Sequence, residues 1–416
     1  LERRGDDRTQ PLGGLTGCGG GVLKSLLAIV VNHRSGAFCA RCIQSLRRTW
    51  ALEGRLESDL RVIVVDTASG HREEPWLKLI EEEGTEVVRS RENLGYAGGM
   101  ILGYRQALKG ESEPEAGTGA IALLNPDLHF TAGSIAPLLE ELERDASCGA
   151  VGPRMSVDEE ETLHHPRLDL PHVADEVAAL QARFDPASLR ARLARRARGA
   201  AAFYASERPR VVPMLSGACV VMRRETVEAL GAPLDEAYPL YYEDAQLAQD
   251  LRSLGLTSKV VPASRVLHHW SRSAGSGEEF AGEPARRAAF GRALFHERHG
   301  DHQTGRALQE TEELLGRVEV ELPFEIEDLG VAEASPQVQL QSKGEVLIEV
   351  SACPFFPLAA GSVTTGGEWS VGGALWSWLF PGWWYVRAAC ARTGRHLGAW
   401  SFEKTQSTRT EPVALG

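Results

Sequence analysis

The sequence predicts two units of different class, an α/β unit followed by an all-β unit. Between residues 26 and 145, four short apolar runs alternate with segments of helical spacing, which is typical of a mostly parallel sheet covered by helices. After about residue 320 the apolar residues alternate with period two between Gly, Ser, Thr and Pro, which favours a β-sandwich. The 416 residues are 43% hydrophobic and 25% charged, so the composition is that of a folded globular protein.

Each element of the first unit follows from its own pattern. Apolar runs predict strands, and apolar residues at helical spacing predict helices. The predicted strands are Leu26–Val31, Leu60–Val65, Glu86–Val88 and Ala120–Leu124, and the predicted helices are Phe38–Trp50, Glu73–Glu83, Met100–Leu108 and Ser134–Arg144. Further strands are expected at Lys259–Val261 and between Val211 and Met222 around Ser216-Gly217-Ala218, and further helices at Arg224–Leu230, after Tyr242 and at Pro284–His299.

Polar residues follow three of the predicted strands, namely Asn32, Asp66 and Asp127. In open α/β sheets, ligands bind at the carboxyl ends of the strands. Acidic residues at these positions also serve as caps for the following helix. Because the three polar strand ends occur together, a shared ligand site at this sheet edge is the favoured interpretation.

The predicted organisation has four parts, one of which contains an insertion. They are a disordered leader (1–22), the α/β domain (23–304) with a variable helical insertion (157–212), a linker helix (305–319) and a β-sandwich domain (320–416). The insertion holds an arginine-rich segment, residues 181–210, with eight Arg and two acidic residues. Two interpretations of this segment stay open: a solvated helix, or a flap that meets an anionic acceptor or a membrane surface.

Charge and targeting signals narrow the function classes. The net charge of −12 argues against a nucleic-acid protein held by bulk charge. No run of eighteen apolar residues occurs, so a membrane-spanning helix is not expected. Residues 1–21 lack the apolar core of a signal peptide, which predicts a cytoplasmic protein. Cys39 and Cys42 form a single CxxC, for which a structural role is expected.

Eight segments occur in an order that resembles glycosyltransferase family 2, in its rhamnosyltransferase-like branch. They are LAIVVNHRS, VIVVDTAS, ENLGYAGG, LLNPDL, GAVGPRM, LSGACVVMRRE, YYEDAQL and VPASRVLHHWSRS, within residues 26–300. The resemblance implies the GT-A fold, a Rossmann-like mixed sheet that binds nucleotide-diphospho-sugars. It also implies a dTDP- or UDP-sugar donor, a divalent metal (Mn²⁺ or Mg²⁺) and inversion at the anomeric carbon. The acceptor would be a glycan, a lipid-linked intermediate or a small molecule.

The resemblance also implies the roles of particular residues. Asp127 and His268 would bind the metal, with His269 as the less favoured histidine. A hard cation suits this site because it neutralises charge on the departing diphosphate. Asp244 would be the general base for the acceptor hydroxyl. Glu243 would orient the acceptor or replace Asp244 as the base. Both acids would also stabilise a helix N-terminus without any catalytic role.

The donor would contact nine residues that match the family pattern: Asn32, Asp66, Asn93, Gly95, Gly98, Asn125, Asp127, Ser216 and Gly217. The chain departs from that pattern at Thr67, His71 and Ile101, all on the donor side. Arg286, Arg287 and Arg292 are interpreted either as phosphate ligands or as surface residues. His296, His299 and His302 are expected on a solvated helix face.

The C-terminal unit is interpreted as an immunoglobulin-like sandwich. Six of the nine tryptophans lie between Trp369 and Trp400. They would fill a small core, bind a glycan or partner, or touch a membrane. The alternative function is therefore a non-catalytic carbohydrate-binding or scaffold protein with a degenerate donor site. The sequence is compatible with peripheral membrane contact and with a homo-oligomer.

Overall fold

The computed structural model describes residues 22–109, 119–182, 184–269, 282–300, 308 and 322–405. The strands of the first unit are β1 (Ser25–Asn32), β2 (Leu60–Thr67), β3 (Glu86–Ser90), β4 (Gly119–Leu124), β5 (Leu128–Phe130), β6 (Cys148–Ser156), β7 (Arg210–Val212), β8 (Cys219–Arg223) and β9 (Thr257–His268). Its helices are α1 (Gly36–Leu52), α2 (Glu74–Glu82), α3 (Gly95–Ala107), α4 (Ala136–Arg144), α5 (Val173–Ala182), α6 (Pro186–Tyr204), α7 (Arg224–Leu230), α8 (Glu243–Ser253) and α9 (Glu283–His299).

These strands form one mixed sheet in the described residues, in the order β3-β2-β1-β4-β8-β6-β9-β5, with β7 paired to β9. Strands β1 to β4 are parallel, and β8 runs antiparallel to both β4 and β6. The central strands are buried on both faces, so their sequences are continuous runs of Val, Ile, Leu and Ala. The predicted α/β class and mixed sheet are confirmed.

Helices cover both faces of this sheet. On one face, Cys39 and Cys42 of α1 pack in an apolar cluster with Ala28 and Val30 of β1. The cysteines are buried and free of disulfides, in keeping with the structural role expected for the CxxC. On the other face, α3 packs beneath β1 and β2 in a second cluster.

Two local predictions were wrong. Residues 216–218 form a turn before β8 instead of lying within a strand, because pairing with β4 starts only at Cys219. Helix α3 begins at Gly95, five residues before the predicted start at Met100. The prediction placed the start too late because the glycines of the first turns have a low helix propensity.

The second unit contains β10 (Glu327–Ala332), β11 (Gln337–Ser351), β12 (Ala360–Ser370), β13 (Gly382–Cys390), β14 (His396–Lys404) and a short helix α10 (Gly373–Trp378). In the described part of the chain its strands form one sheet, in the order β10-β14-β13-β11-β12. The predicted all-β character is confirmed. Trp400 lies in the apolar core of this sheet, with Trp369, Trp376 and Trp384 packed against it, whereas Trp383 is 45% exposed.

Helix α6 packs against the second sheet. Its residues Ala197, Ala201 and Tyr204 form an apolar cluster with Leu347 of β11 and Ala389 of β13. Arg190, Arg195 and Arg198 of this helix are exposed, as the solvated-helix interpretation expects, whereas its apolar face is covered by the β unit. Contact of the segment with an anionic acceptor or a membrane stays a prediction.

Charge also ties α6 to the β unit. Arg196 lies 3.4 Å from Glu349, which is buried and also pairs with buried Arg387. The leader, most of the linker helix and His302 lie outside the described residues. None of the helices in the described ranges is long and apolar enough to cross a membrane.

Candidate active site

The ends of β1 and β2 place two predicted donor residues side by side. Asn32 and Asp66 are paired in the sheet register, and both are buried. Asn32 Nδ2 donates to Asp66 Oδ1 at 2.8 Å, while Asn32 Oδ1 accepts from the Ser35 amide at 3.2 Å. Thr67, where the family pattern has Asn, donates from Oγ1 to Asn32 O at 3.1 Å. The Asp66 carboxylate is thus held in one orientation at the sheet edge.

The loop before α3 joins the same edge through Asn93. Asn93 Oδ1 accepts from Gly95 N at 3.0 Å and from Arg287 Nη1 of α9 at 3.4 Å. Asn93 Nδ2 lies 3.4 Å from His33 Nε2, and His33 Nδ1 lies 2.8 Å from Thr67 O. His33 was not among the predicted site residues, and the contact with Asn93 distinguishes Arg287 from the more exposed Arg286.

Gly95 is required by the backbone at this loop. Its φ is +71°, in the left-handed region, and a Cβ there would lie 2.0 Å from Pro239 O. Gly98 lies in the first turn of α3, where a Cβ would lie 3.0 Å from Leu94 Cβ. Of the remaining departures from the family pattern, Ile101 is buried in the core and His71 is exposed.

The predicted metal ligands meet where β5 pairs with the end of β9. Asp127 Oδ1 lies 3.3 Å from His268 Nε2, and the two residues are 2% and 5% exposed. This oxygen is buried and accepts no hydrogen bond from the described residues. Burial alone would raise the pKa of Asp127, but the His268 ring beside it lowers that pKa below its ordinary value. The carboxylate therefore stays ionised.

These residues fit a divalent cation. A buried carboxylate oxygen without a donor, facing an imidazole nitrogen, offers one oxygen and one nitrogen ligand to a metal. No group of three or more His, Cys, Asp or Glu in the described ranges could hold a metal ion. The amide of His269 donates to Asp127 O at 3.1 Å, and its ring contacts Phe38.

The acidic pair occupies the start of α8, as predicted. Glu243 is buried, and its Oε2 has no hydrogen-bond partner among the described residues. Asp244 is half-buried: Oδ1 accepts from Ala245 N at 2.9 Å and Oδ2 from Gly217 N at 3.3 Å. Burial raises the pKa of both carboxyls, and the Asp244 charge raises that of Glu243 further. A raised pKa makes a carboxylate a stronger base.

The chain enters α8 through two consecutive left-handed residues. Tyr241 and Tyr242 have φ values of +62° and +69°, which cost about 1 kcal/mol or more each for non-glycine residues. Gly291 of α9 permits this path, since a Cβ there would lie 2.7 Å from Tyr241 O. Such strain is often found at functional sites.

The turn before β8 connects the donor side to the acidic pair. Tyr96 donates from its hydroxyl to Gly217 O at 2.5 Å, and Ala218 O accepts from Asn125 N at 2.8 Å. Gly217 is thus linked to α3 and α8. Its neighbour Ala218 is linked to the end of β4, next to Asp127. Tyr96 lies within the family-like segment ENLGYAGG, but only the fold reveals what its hydroxyl bonds.

The prediction of a solvated helix face was wrong for His296 and correct for His299, which is exposed. His296 is buried, and its Nε2 lies 3.0 Å from Glu176 Oε1. Arg292 pairs with the same carboxylate, which ties α9 to α5. His299 Nε2 lies 2.7 Å from Gln246 Oε1 on α8. These contacts fix α9, and with it Arg287, over the site.

One family model and two curated relatives match parts of the chain. Residues 27–231 match the family model described as "Glycosyl transferase family 2". Over 188 residues the chain is 32% identical to the N-acetylglucosaminyl-diphospho-decaprenol L-rhamnosyltransferase of Mycobacterium tuberculosis, in strains CDC 1551 / Oshkosh and ATCC 25618 / H37Rv. That match covers 44% of this chain and 58% of the relative.

Two solved structures resemble the chain at low identity. GalNAc-T7 with UDP, GalNAc and Mn²⁺ has a TM-score of 0.43 and 14% identity, over 71% of this chain and 56% of that one. The mannosyltransferase PcManGT from Pyrobaculum calidifontis, with GDP-Man and Mn²⁺, has a TM-score of 0.37 and 13% identity, over 70% and 80%.

Proposed function

Residues 27–231 of this chain belong to glycosyl transferase family 2, and from that premise we propose an inverting, metal-dependent sugar transfer. The donor would be a nucleoside-diphosphate sugar, dTDP- or UDP-linked, and the acceptor a hydroxyl of a glycan, a lipid-linked intermediate or a small molecule. The observation that carries the proposal is Asp127 Oδ1, buried without a hydrogen-bond partner among the described residues and 3.3 Å from His268 Nε2.

The cation, when bound, would neutralise charge on the departing diphosphate. Asp127 and His268 would hold it, and the 3.3 Å between their atoms lets both face one ion. Asn125 Nδ2 lies 3.4 Å from His268 Nε2, at the rim of the same site. Asp66, fixed by Asn32, would receive the nucleoside, and Asn93 with Arg287 would border the donor.

Asp244 would take the proton of the acceptor hydroxyl. As the acceptor oxygen bonds to the anomeric carbon, the bond from that carbon to the diphosphate oxygen breaks, and the proton passes to Asp244. Its two backbone hydrogen bonds fix the carboxylate, while its partial exposure leaves a lone pair open to the acceptor. Glu243, deeper and without a partner for Oε2 in the described structure, would orient the acceptor or replace Asp244 as the base.

The mycobacterial relative is named as a rhamnosyltransferase for N-acetylglucosaminyl-diphospho-decaprenol. This name supports a lipid-linked glycan as one acceptor class to test. The chain spans little more than half of that relative's length.

A calorimetric screen tests the proposal. UDP, dTDP and GDP would each be titrated with and without Mn²⁺ or Mg²⁺, into the full chain and into Asp127→Ala. We expect one nucleotide to bind in a metal-dependent way, and this binding to be lost in Asp127→Ala. Asp169→Ala, an exposed acid paired with Arg167, is the matched control and should bind as the wild type does. Absence of binding by all three nucleotides would contradict the transferase and favour a degenerate donor site.

A further inference from the structure

We propose that His165 is a positioning residue for His268, and that the C-terminal sheet holds His165 in place. The inference rests on the proposed function, because it takes His268 as a metal ligand. It gives the β unit a part in the transferase site, distinct from glycan binding.

The His165 ring lies flat against the His268 ring. Their centroids are 4.7 Å apart with an interplanar angle of 23°. His165 Nε2 lies 3.3 Å from the backbone oxygen of His268. Because a carbonyl oxygen can only accept, Nε2 carries the proton in this contact, and that nitrogen is engaged with the backbone instead of the metal site.

The Nδ1 atom of His268 shows why the stacking contact with His165 matters. A metal-binding histidine is usually oriented by a hydrogen bond from its other ring nitrogen. His268 Nδ1 is buried and has no hydrogen-bond partner among the described residues. On its Nδ1 side the ring is therefore held by packing alone in the described structure, and the His165 ring supplies a flat surface for it.

Hydrogen bonds tie the His165 segment to the C-terminal sheet. His164 N donates to Gly361 O and Gly361 N donates to His164 O, both at 2.9 Å, which forms a two-way bridge to the start of β12. His165 N donates to Met155 O of β6 at 2.9 Å. The segment is thus bonded to β12 on one side and to β6 on the other.

Apolar packing reinforces this connection. Val157 and Leu163, which flank the turn before His164, are buried in the apolar core of the C-terminal sheet together with Val338 and Leu375. The Asp158 carboxylate closes the turn by accepting from Thr162 N at 2.7 Å and Leu163 N at 2.8 Å. A displacement of β12 would therefore move the backbone that carries His165.

Metal affinity tests the stack directly. Mn²⁺ would be titrated into the full chain in the presence of UDP, or of whichever nucleotide the wild type binds, with free Mn²⁺ followed by electron paramagnetic resonance. Loss of groups that orient a metal ligand typically costs about 10- to 100-fold in metal affinity, so we expect His165→Ala to weaken Mn²⁺ binding about tenfold. His165→Phe retains a flat ring and should stay within about twofold of the wild type. The exposed His172→Ala is the control.

A second pair of variants tests the role of the sheet. A Cβ at Gly361 would lie 2.6 Å from Ile348 O and 3.0 Å from Tyr204 Cε2, whereas a Cβ at Gly344 meets nothing within 4 Å. Gly361→Ala should therefore weaken Mn²⁺ binding several-fold, although Gly361 does not contact the proposed metal site. Gly344→Ala should leave Mn²⁺ binding unchanged. Thermal melting of each variant separates this effect from unfolding.

The outcomes separate the two proposals. Wild-type Mn²⁺ affinity in His165→Ala, with the wild type binding Mn²⁺, would overturn this inference alone. Equal weakening in His165→Ala and His165→Phe would overturn the role of the ring stack. If the wild type bound no Mn²⁺ with any nucleotide, the proposed function would fail and this inference with it.

Discussion

The carboxylate of Asp244 accepts a hydrogen bond from the backbone amide of Gly217 at 3.3 Å. This bond fastens the start of α8 to the turn before β8. The same turn receives the Tyr96 hydroxyl and the Asn125 amide. Backbone groups of this one turn thus set the position of Glu243 and Asp244 relative to the sheet edge that carries Asn32 and Asp66.

Asp244→Asn should reduce the rate of transfer by about 10²- to 10⁴-fold, the usual contribution of a general base. The amide keeps the shape of the side chain but cannot take a proton, so nucleotide binding should persist. Steady-state kinetics and calorimetry on the same preparation measure the two effects. Asp175→Asn, on an exposed position of α5, is the control. Full activity of Asp244→Asn would refute the assignment of the base.

The pH dependence of kcat should reflect the burial of the acidic pair. Burial raises the pKa of Asp244 above its ordinary value, which is about 3.9 for an unperturbed Asp. Because the base acts when ionised, the rate should fall as the pH drops through this raised pKa. If kcat of the wild type fell only at the ordinary pKa of an Asp carboxyl, the result would contradict a pKa of Asp244 raised by burial.

Gly95→Ala should destabilise the loop before α3 by more than the cost of a left-handed φ alone. The left-handed conformation costs a non-glycine residue roughly 1–2 kcal/mol, and the added Cβ would also meet Pro239 O at 2.0 Å. Gly54→Ala is the matched control, because Gly54 has a φ of +73° but open space around its Cβ position.

Urea unfolding of both variants isolates the clash. We expect Gly95→Ala to lose more free energy of unfolding than Gly54→Ala, and to bind nucleotide more weakly. Equal losses in the two variants would show that the contact with Pro239 is unimportant.

Glu349→Ala should destabilise the protein by about 3–5 kcal/mol, the usual cost of removing one partner from a buried ion pair. Glu349 is 1% exposed and is the acid shared by Arg387 and Arg196. Its loss would leave a buried guanidinium without its carboxylate, at the contact of the β sheet with α6. Chemical unfolding measures this cost, with the exposed Glu345→Ala of the same strand as control. A loss below 1 kcal/mol for Glu349→Ala would contradict the role of this ion pair.

The sequence by itself predicted most of the first sheet. Runs such as Leu26–Val31 and Leu60–Val65 are readable because strands buried on both faces carry no polar alternation. The roles proposed for Asp127, His268, Glu243 and Asp244 came from the order of family-like segments, since each is a common residue with an ordinary local explanation.

Tertiary structure alone decided the supporting contacts. Tyr96 and Gly217 are 121 residues apart in the sequence, and His165 and His268 are 103 apart. Contacts over such distances leave no periodic signal in either segment. The same reason hid the docking of α6: its arginines suggested a solvated or anion-binding face, but burial of Ala197, Ala201 and Tyr204 depends on a sheet formed almost 150 residues later. Local patterns specify which elements form, whereas the packing of distant elements specifies which polar groups meet.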